Sequence, residues 1–134
     1  MIAAAVAAVA VAGGAGAATT PRFVGCTGFT KHAAAGVVRP SSITVACADG
    51  NFWFSKLRWK TWSARGATAS GTAHQNDCKP YCAAGHFHTY PATVTLSGLK
   101  HCAGKAELTK VSWRFTAAKP AGEARTGSQT FRCA

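Results

Sequence analysis

The sequence predicts an all-β protein, an antiparallel β-sandwich stapled by disulfides. Three observations carry this expectation. Apolar and polar residues alternate with a period of two in several short runs. Gly, Pro and Asx signals recur between those runs, and no helical amphipathic window of useful length follows the N-terminal segment. Six cysteines, an even number, read as three cross-links in a chain short enough to gain from them.

The first 18 residues, MIAAAVAAVAVAGGAGAA, carry no charge and pass from an Ala/Val run into small residues. They read as a signal peptide, with an A-x-A step at Ala15 and Ala17, although no basic residue precedes the apolar run. A membrane anchor is disfavoured because the stretch turns glycine-rich after Val11 and polar at Thr19, short of the about 20 apolar residues a spanning helix needs. The expected organisation is therefore a signal peptide over 1–18 and one secreted β-rich domain over 19–134, extracellular and associated with the cell envelope.

Within that domain, Thr19 to Thr30 reads as a loop or short edge strand tethered through Cys26. Ser42 to Ala48 reads as the first clear strand, with Ile43, Val45 and Cys47 on one face, before a turn at Asp49-Gly50. Asn51 to Trp62 is aromatic-rich, and Leu57 and Trp59 alternate with Lys56, Arg58 and Lys60, so one face is apolar and the other cationic. Ser63 to Asp77 lacks any large hydrophobe and reads as a surface loop or a weak strand. Cys78 to Cys82 forms a constrained turn, and Thr93 to Leu96 a short strand ended by Ser97-Gly98. In Glu107 to Thr116, Thr109, Val111, Trp113 and Phe115 oppose Lys110, Ser112 and Arg114. A Pro/Gly-rich loop over Lys119 to Ser128 then precedes a short closing segment, Gln129 to Cys133.

Cys47, Trp59 and Cys102 are spaced in a way that resembles an immunoglobulin-like sandwich, although Lys100 stands where that fold's tyrosine is expected. A partly open barrel is the other architecture considered. Pairing Cys47 with Cys102, Cys78 with Cys82 and Cys26 with Cys133 suits the immunoglobulin-like arrangement. The runs Cys47-Ala48-Asp49-Gly50-Asn51, Leu57-x-Trp59-x-x-Trp62 and Asn76-x-Cys78-x-Pro80-x-Cys82-Ala83-x-Gly85-x-Phe87-x-x-Tyr90-Pro91, with Cys102, point to one group. They resemble small exported disulfide-containing proteins of high-GC Gram-positive bacteria. That resemblance implies export and imports no activity or site residue.

Lys and Arg number 15 against four carboxylates, Asp49, Asp77, Glu107 and Glu123, for a net charge of +11. Such a balance favours anionic partners: a cell-wall polymer, an acidic glycan or a membrane surface. A protein partner is also considered, and export argues against nucleic acid. Catalytic signals are absent, since there is no G-x-S-x-G, no H-E-x-x-H and no suggestive acidic pair. Cys78 and Cys82 with His86, His88 or His101 could be read as a metal set, but an oxidising compartment favours a disulfide. No catalytic residue, metal site or cofactor is assigned.

The expected function is a non-catalytic binding or structural module with a basic surface for anionic envelope or matrix components. A small cationic effector, antimicrobial or enzyme-inhibitory, is the alternative. The candidate binding residues are Arg58, Lys60, Lys110 and Arg114, read as one cationic face if their strands share a sheet. Trp53 and Trp62, near strand ends, are expected to be partly exposed beside it.

Overall fold

The computed structural model describes residues 19–26 and 35–133, so the signal-peptide segment 1–18 and part of the first loop lie outside the described residues. The described chain is all-β. It contains β1 (Arg22–Phe23), β2 (Ile43–Thr44), β3 (Phe52–Ser63), β4 (Gly66–Asn76), β5 (Phe87–Cys102), β6 (Lys105–Phe115) and β7 (Thr126–Thr130), with one 3₁₀ turn at Cys82–Ala84. Among the described residues no helix is long and apolar enough to cross a membrane.

All seven strands belong to one mixed sheet in the order β1-β6-β5-β4-β3-β2, with β7 also paired to β6. The two stacked sheets of a sandwich are replaced by this single sheet, curled on itself. Strands β3 to β6 form an antiparallel meander. β1 runs parallel to β6 at Glu107 and Leu108, and β7 runs antiparallel to it from Lys110 to Arg114. The remaining edges approach each other through the chain between β1 and β2. Phe23 N donates to Val37 O at 2.8 Å, while Leu57 N donates to Ser41 O at 3.0 Å and Trp59 Nε1 to Pro40 O at 2.8 Å.

The curl encloses a core in which Phe23, Ile43, Phe54, Leu96, Leu108 and Phe115 are fully buried. Each such side chain contributes roughly 1.5–3 kcal/mol through removal from water. Half-buried Trp59, Trp62 and Trp113 pack around them. Trp113 lies 5.0 Å from Phe52 between ring centroids and covers Gly127 of β7, where a Cβ would sit 2.4 Å from its Cζ2.

Several sequence expectations are corrected. Of the two readings of Ser63 to Asp77, the loop is overturned and the strand holds: the segment contains β4, hydrogen-bonded on both sides within the sheet. Its inward positions Ala67, Ala69 and Ala73 are buried but small. Gly71 is small for a reason, since a Cβ there would stand 2.8 Å from Leu57 Cδ2 and from Ser55 O. β5 extends over 16 residues, through both Pro91 and Gly98, well beyond Thr93 to Leu96. In contrast, only Ile43 and Thr44 of the Ser42 to Ala48 run pair as a strand. Val45 N and Ala46 N both donate to Phe52 O, and the chain turns there, so Ile43, Thr44 and Val45 are all buried without alternation.

All six cysteines are paired, as Cys26–Cys47, Cys78–Cys82 and Cys102–Cys133. Only the short link matches the expected connectivity. Cys47 follows the edge strand β2, whereas Cys102 ends β5, with β3 and β4 between them. Closure of the curl instead brings the chain leaving β1 to the end of β2. The chain leaving β7 likewise passes the β5–β6 hairpin, where Cys102 lies opposite Lys105.

Candidate outer-face binding site

Long twisted strands expose one face where the other covers the core, and cross-strand partners share a face. Buried Val94, Leu96, Val111 and Phe115 mark the inner face. The alternate residues therefore point outward, and the register arranges them in rows.

One row runs Arg58–Ser70–Thr93–Arg114–Thr126 across β3, β4, β5, β6 and β7. The next runs Thr61–Thr68–Thr95–Ser112–Ser128, and a third places Ser97 beside Lys110 and Thr130. These rows contain three cations and otherwise only Ser and Thr. Arg58 and Arg114 are three strands apart, about 14 Å at the usual interstrand spacing. A shallow groove of about 530 Å³ follows β6, lined by Thr93 and Thr95 on one side and Thr126 and Ser128 on the other, with Lys110, Ser112 and Arg114 along its floor.

The hydroxyls differ in how they are used. Thr61 and Thr68 bond each other at 2.8 Å between their Oγ1 atoms. Thr109 Oγ1, buried, donates to Gly98 O at 2.6 Å. Among the described residues, no hydrogen bond engages the hydroxyls of Thr93, Thr95, Ser112, Thr126 or Ser128, and no acidic side chain pairs with Lys110 or Arg114.

The sequence-predicted residues divide accordingly. Arg58, Lys110 and Arg114 share the outer face. Lys60 is exposed but falls in the register shift between Trp59 and Thr61, so it has no cross-strand partner and is displaced from the rows. Trp53 lies opposite His74, with the rings stacked at 3.8 Å, and Ser55 Oγ lies 2.7 Å from His74 Nε2. That stack occupies the distal end of β3 and β4, away from the cation rows. Trp62 is separated from them altogether. It packs against the core and the Trp59 ring, and its Nε1 donates to Pro21 O at 2.8 Å.

A second cavity, about 390 Å³, sits at the other end of the sheet and includes Gln75, Asp77, Lys79, His88, Tyr90 and Glu123 in its lining. Sequence reasoning assigned Asp77 and His88 no joint role. Here Asp77 Oδ2 lies 2.9 Å from His88 Nε2, while its Oδ1 accepts from Lys79 N and His86 N. The His88 hydrogen bond, then the two backbone donors, hold the Asp77 carboxyl well below the usual carboxylate range. Buried Asn76 fixes the same loop: it accepts from Cys78 N and donates to Cys82 O and Asn51 Oδ1. Gln75 Nε2 donates to Glu123 Oε1. The cavity lining contains no serine, threonine or free thiol to act as a nucleophile. These polar groups organise the loop, and Cys78 and Cys82 are joined to each other rather than presented as thiolates.

No protein-family model, curated protein or solved structure matches the chain.

Proposed function

We propose that this protein is an exported, non-catalytic binding module that holds an anionic polymer of the cell envelope or matrix on its outer sheet face. The observation that carries the reading is the shared register of Arg58 and Arg114, with Lys110 on the same face and only Ser and Thr filling the rows around them. Two guanidinium groups and one ammonium in a field free of carboxylates attract anions at long range, and arginine can grip a carboxylate or phosphate with paired donors. The apolar, uncharged segment 1–18 and the three disulfides support export to an oxidising compartment. The net charge of +11 extends the attraction beyond this one face.

The test is co-sedimentation of the oxidised protein with purified wall fractions and with anionic lipid vesicles over a salt series. A folded variant with Gln or Ser at Arg58, Lys60, Lys110 and Arg114 is compared in parallel. The wild type is expected to be retained at low salt and released as ions screen its charges over about 10 Å at 0.1 M. Equal retention of both proteins, with the same weak salt response, overturns the proposal.

A further inference from the structure

The groove along β6 carries information beyond charge. Lys110 and Arg114 are four residues apart on one face of the strand, about 13–14 Å, with Ser112 midway. Columns of hydroxyls flank them, Thr93 and Thr95 from β5 and Thr126 and Ser128 from β7. Phosphate and carboxylate oxygens accept hydrogen bonds when ionised, so an anion uses only the donor half of a hydroxyl. A sugar hydroxyl donates and accepts, as Ser and Thr do, and can use both halves.

Resting on the proposed anion-binding role, we infer that this groove is a subsite for an acidic polysaccharide lying along β6. The two cations meet carboxylates on successive parts of the chain, and the flanking hydroxyls bond the sugar hydroxyls between them. The Thr61–Thr68 bond provides an internal contrast. On β3 and β4 the outward Thr61 and Thr68 satisfy each other, whereas the hydroxyls of the groove are free to turn toward a ligand. A chain long enough to reach both Lys110 and Arg114 gains the second contact as an intramolecular event, so affinity rises with length and then levels off.

The probes are oligogalacturonides of graded length and inorganic polyphosphate, which carries charge without sugar hydroxyls. Binding by the oxidised protein is measured by calorimetry at low and moderate salt. Three variants are compared with the wild type: K110Q/R114Q, the hydroxyl-row change T95V/S112A/S128A, and T95S, which keeps a hydroxyl and serves as the folding-neutral control. K110Q/R114Q is expected to weaken both probes. The hydroxyl-row variant is expected to weaken oligogalacturonide by about tenfold and polyphosphate clearly less, since phosphate uses only the donor half of each hydroxyl, while T95S binds as wild type. Wild-type affinity of the hydroxyl-row variant for oligogalacturonide, or equal losses for both probes, overturns the glycan subsite while leaving the anion-binding role intact. Failure of the wild type to bind either probe overturns both.

Discussion

Removing the Asn76 side chain should destabilise the fold more than any change on the outer face. This residue ends β4, is 9% exposed, and ties the Cys78–Cys82 loop to itself and to Asn51 with one amide. Its Oδ1 accepts from Cys78 N at 2.9 Å, and its Nδ2 donates to Cys82 O at 2.8 Å and Asn51 Oδ1 at 3.0 Å. Asn76→Ala leaves a backbone donor and a backbone acceptor of the Cys78–Cys82 loop without their partner. A stranded polar group costs roughly 1–3 kcal/mol where water cannot reach it, and less where it can. With the loop partly exposed, the expected loss is about 2–3 kcal/mol. For a domain of this size that lowers the melting temperature by roughly 8–15 °C. Asn76→Asp is the sharper variant, because it keeps an acceptor for Cys78 N but turns carboxylate oxygens toward two other acceptors. It should be at least as destabilising as alanine. Asn51→Ala removes only one, half-buried partner and should cost about 1 kcal/mol. Thermal and urea unfolding followed by tryptophan fluorescence measures all three. A loss below about 0.5 kcal/mol for Asn76→Ala, or wild-type stability for Asn76→Asp, would refute the assignment of Asn76 as the hub of this loop.

Opening the Cys102–Cys133 link with a paired alanine change should cost about 3–4 kcal/mol, since it closes a span of 31 residues, against about 2 kcal/mol for the 4-residue Cys78–Cys82 link. Urea unfolding without reductant gives the order, and a larger loss for the short link would contradict it. Asp77 has a depressed carboxyl pKa in the fold, so its stabilising effect is fully present above its unfolded value near 4 and fades as pH falls toward the folded value. The urea midpoint of Asp77→Asn should thus lie below wild type at pH 7, with the gap beginning to narrow once pH falls below about 4; a gap that stays constant on further acidification would remove Asp77 from the loop's acid sensitivity.

The strands legible in the sequence are those with large inward side chains. In β3 and β6 the alternation of Leu57 and Trp59 with Arg58, and of Val111 and Trp113 with Ser112 and Arg114, survives in the burial pattern. β4 escapes this reading because its inner face must be small. Bulges in β3, with Lys56 at positive φ, bring Leu57 and Ser55 close to Gly71 and leave no room for a side chain there. A strand of Ala and Gly inside and Thr and Ser outside has the composition of a loop. In β5 the misleading signals are Pro91 and Gly98. Pro91 needs no N–H at its position opposite Thr72, and its carbonyl accepts from Thr116 N at 3.0 Å. Gly98 adopts φ +71° where Thr109 Oγ1 crowds the space a Cβ would occupy. Disulfide partners depend on how the sheet closes, a long-range property that spacing along the chain does not encode. The cations of the candidate site were legible as outward residues, as were Thr93, Thr95 and Ser112 beside them, but Thr68 and Ser70 of β4 and Thr126 and Ser128 of β7 lie in segments that read as loops.

β7 sharpens the reading of that face. Threonine favours strands in its own right, so an outward row of Thr on β5 alone would need no further explanation. β7 is different, because Thr126, Gly127, Ser128, Gln129 and Thr130 bring no large apolar side chain to the core. It is held in place by its neighbours. Trp113 covers Gly127, and Arg125 Nη1 donates to Phe115 O at 2.9 Å and Ala117 O at 2.8 Å before the strand begins. After it, Phe131 packs 5.4 Å from Phe23 and Cys133 is linked to Cys102. The anchors therefore lie at the ends of β7 and beneath its one glycine, while its outward positions remain free for Thr126, Ser128 and Thr130. A strand secured from both ends and contributing little to the core completes the second wall of the β6 groove. That wall turns two separated cations into a lined channel, which is why the hydroxyls of β7, rather than total charge, decide between a general anion-binding surface and a site that reads a polysaccharide.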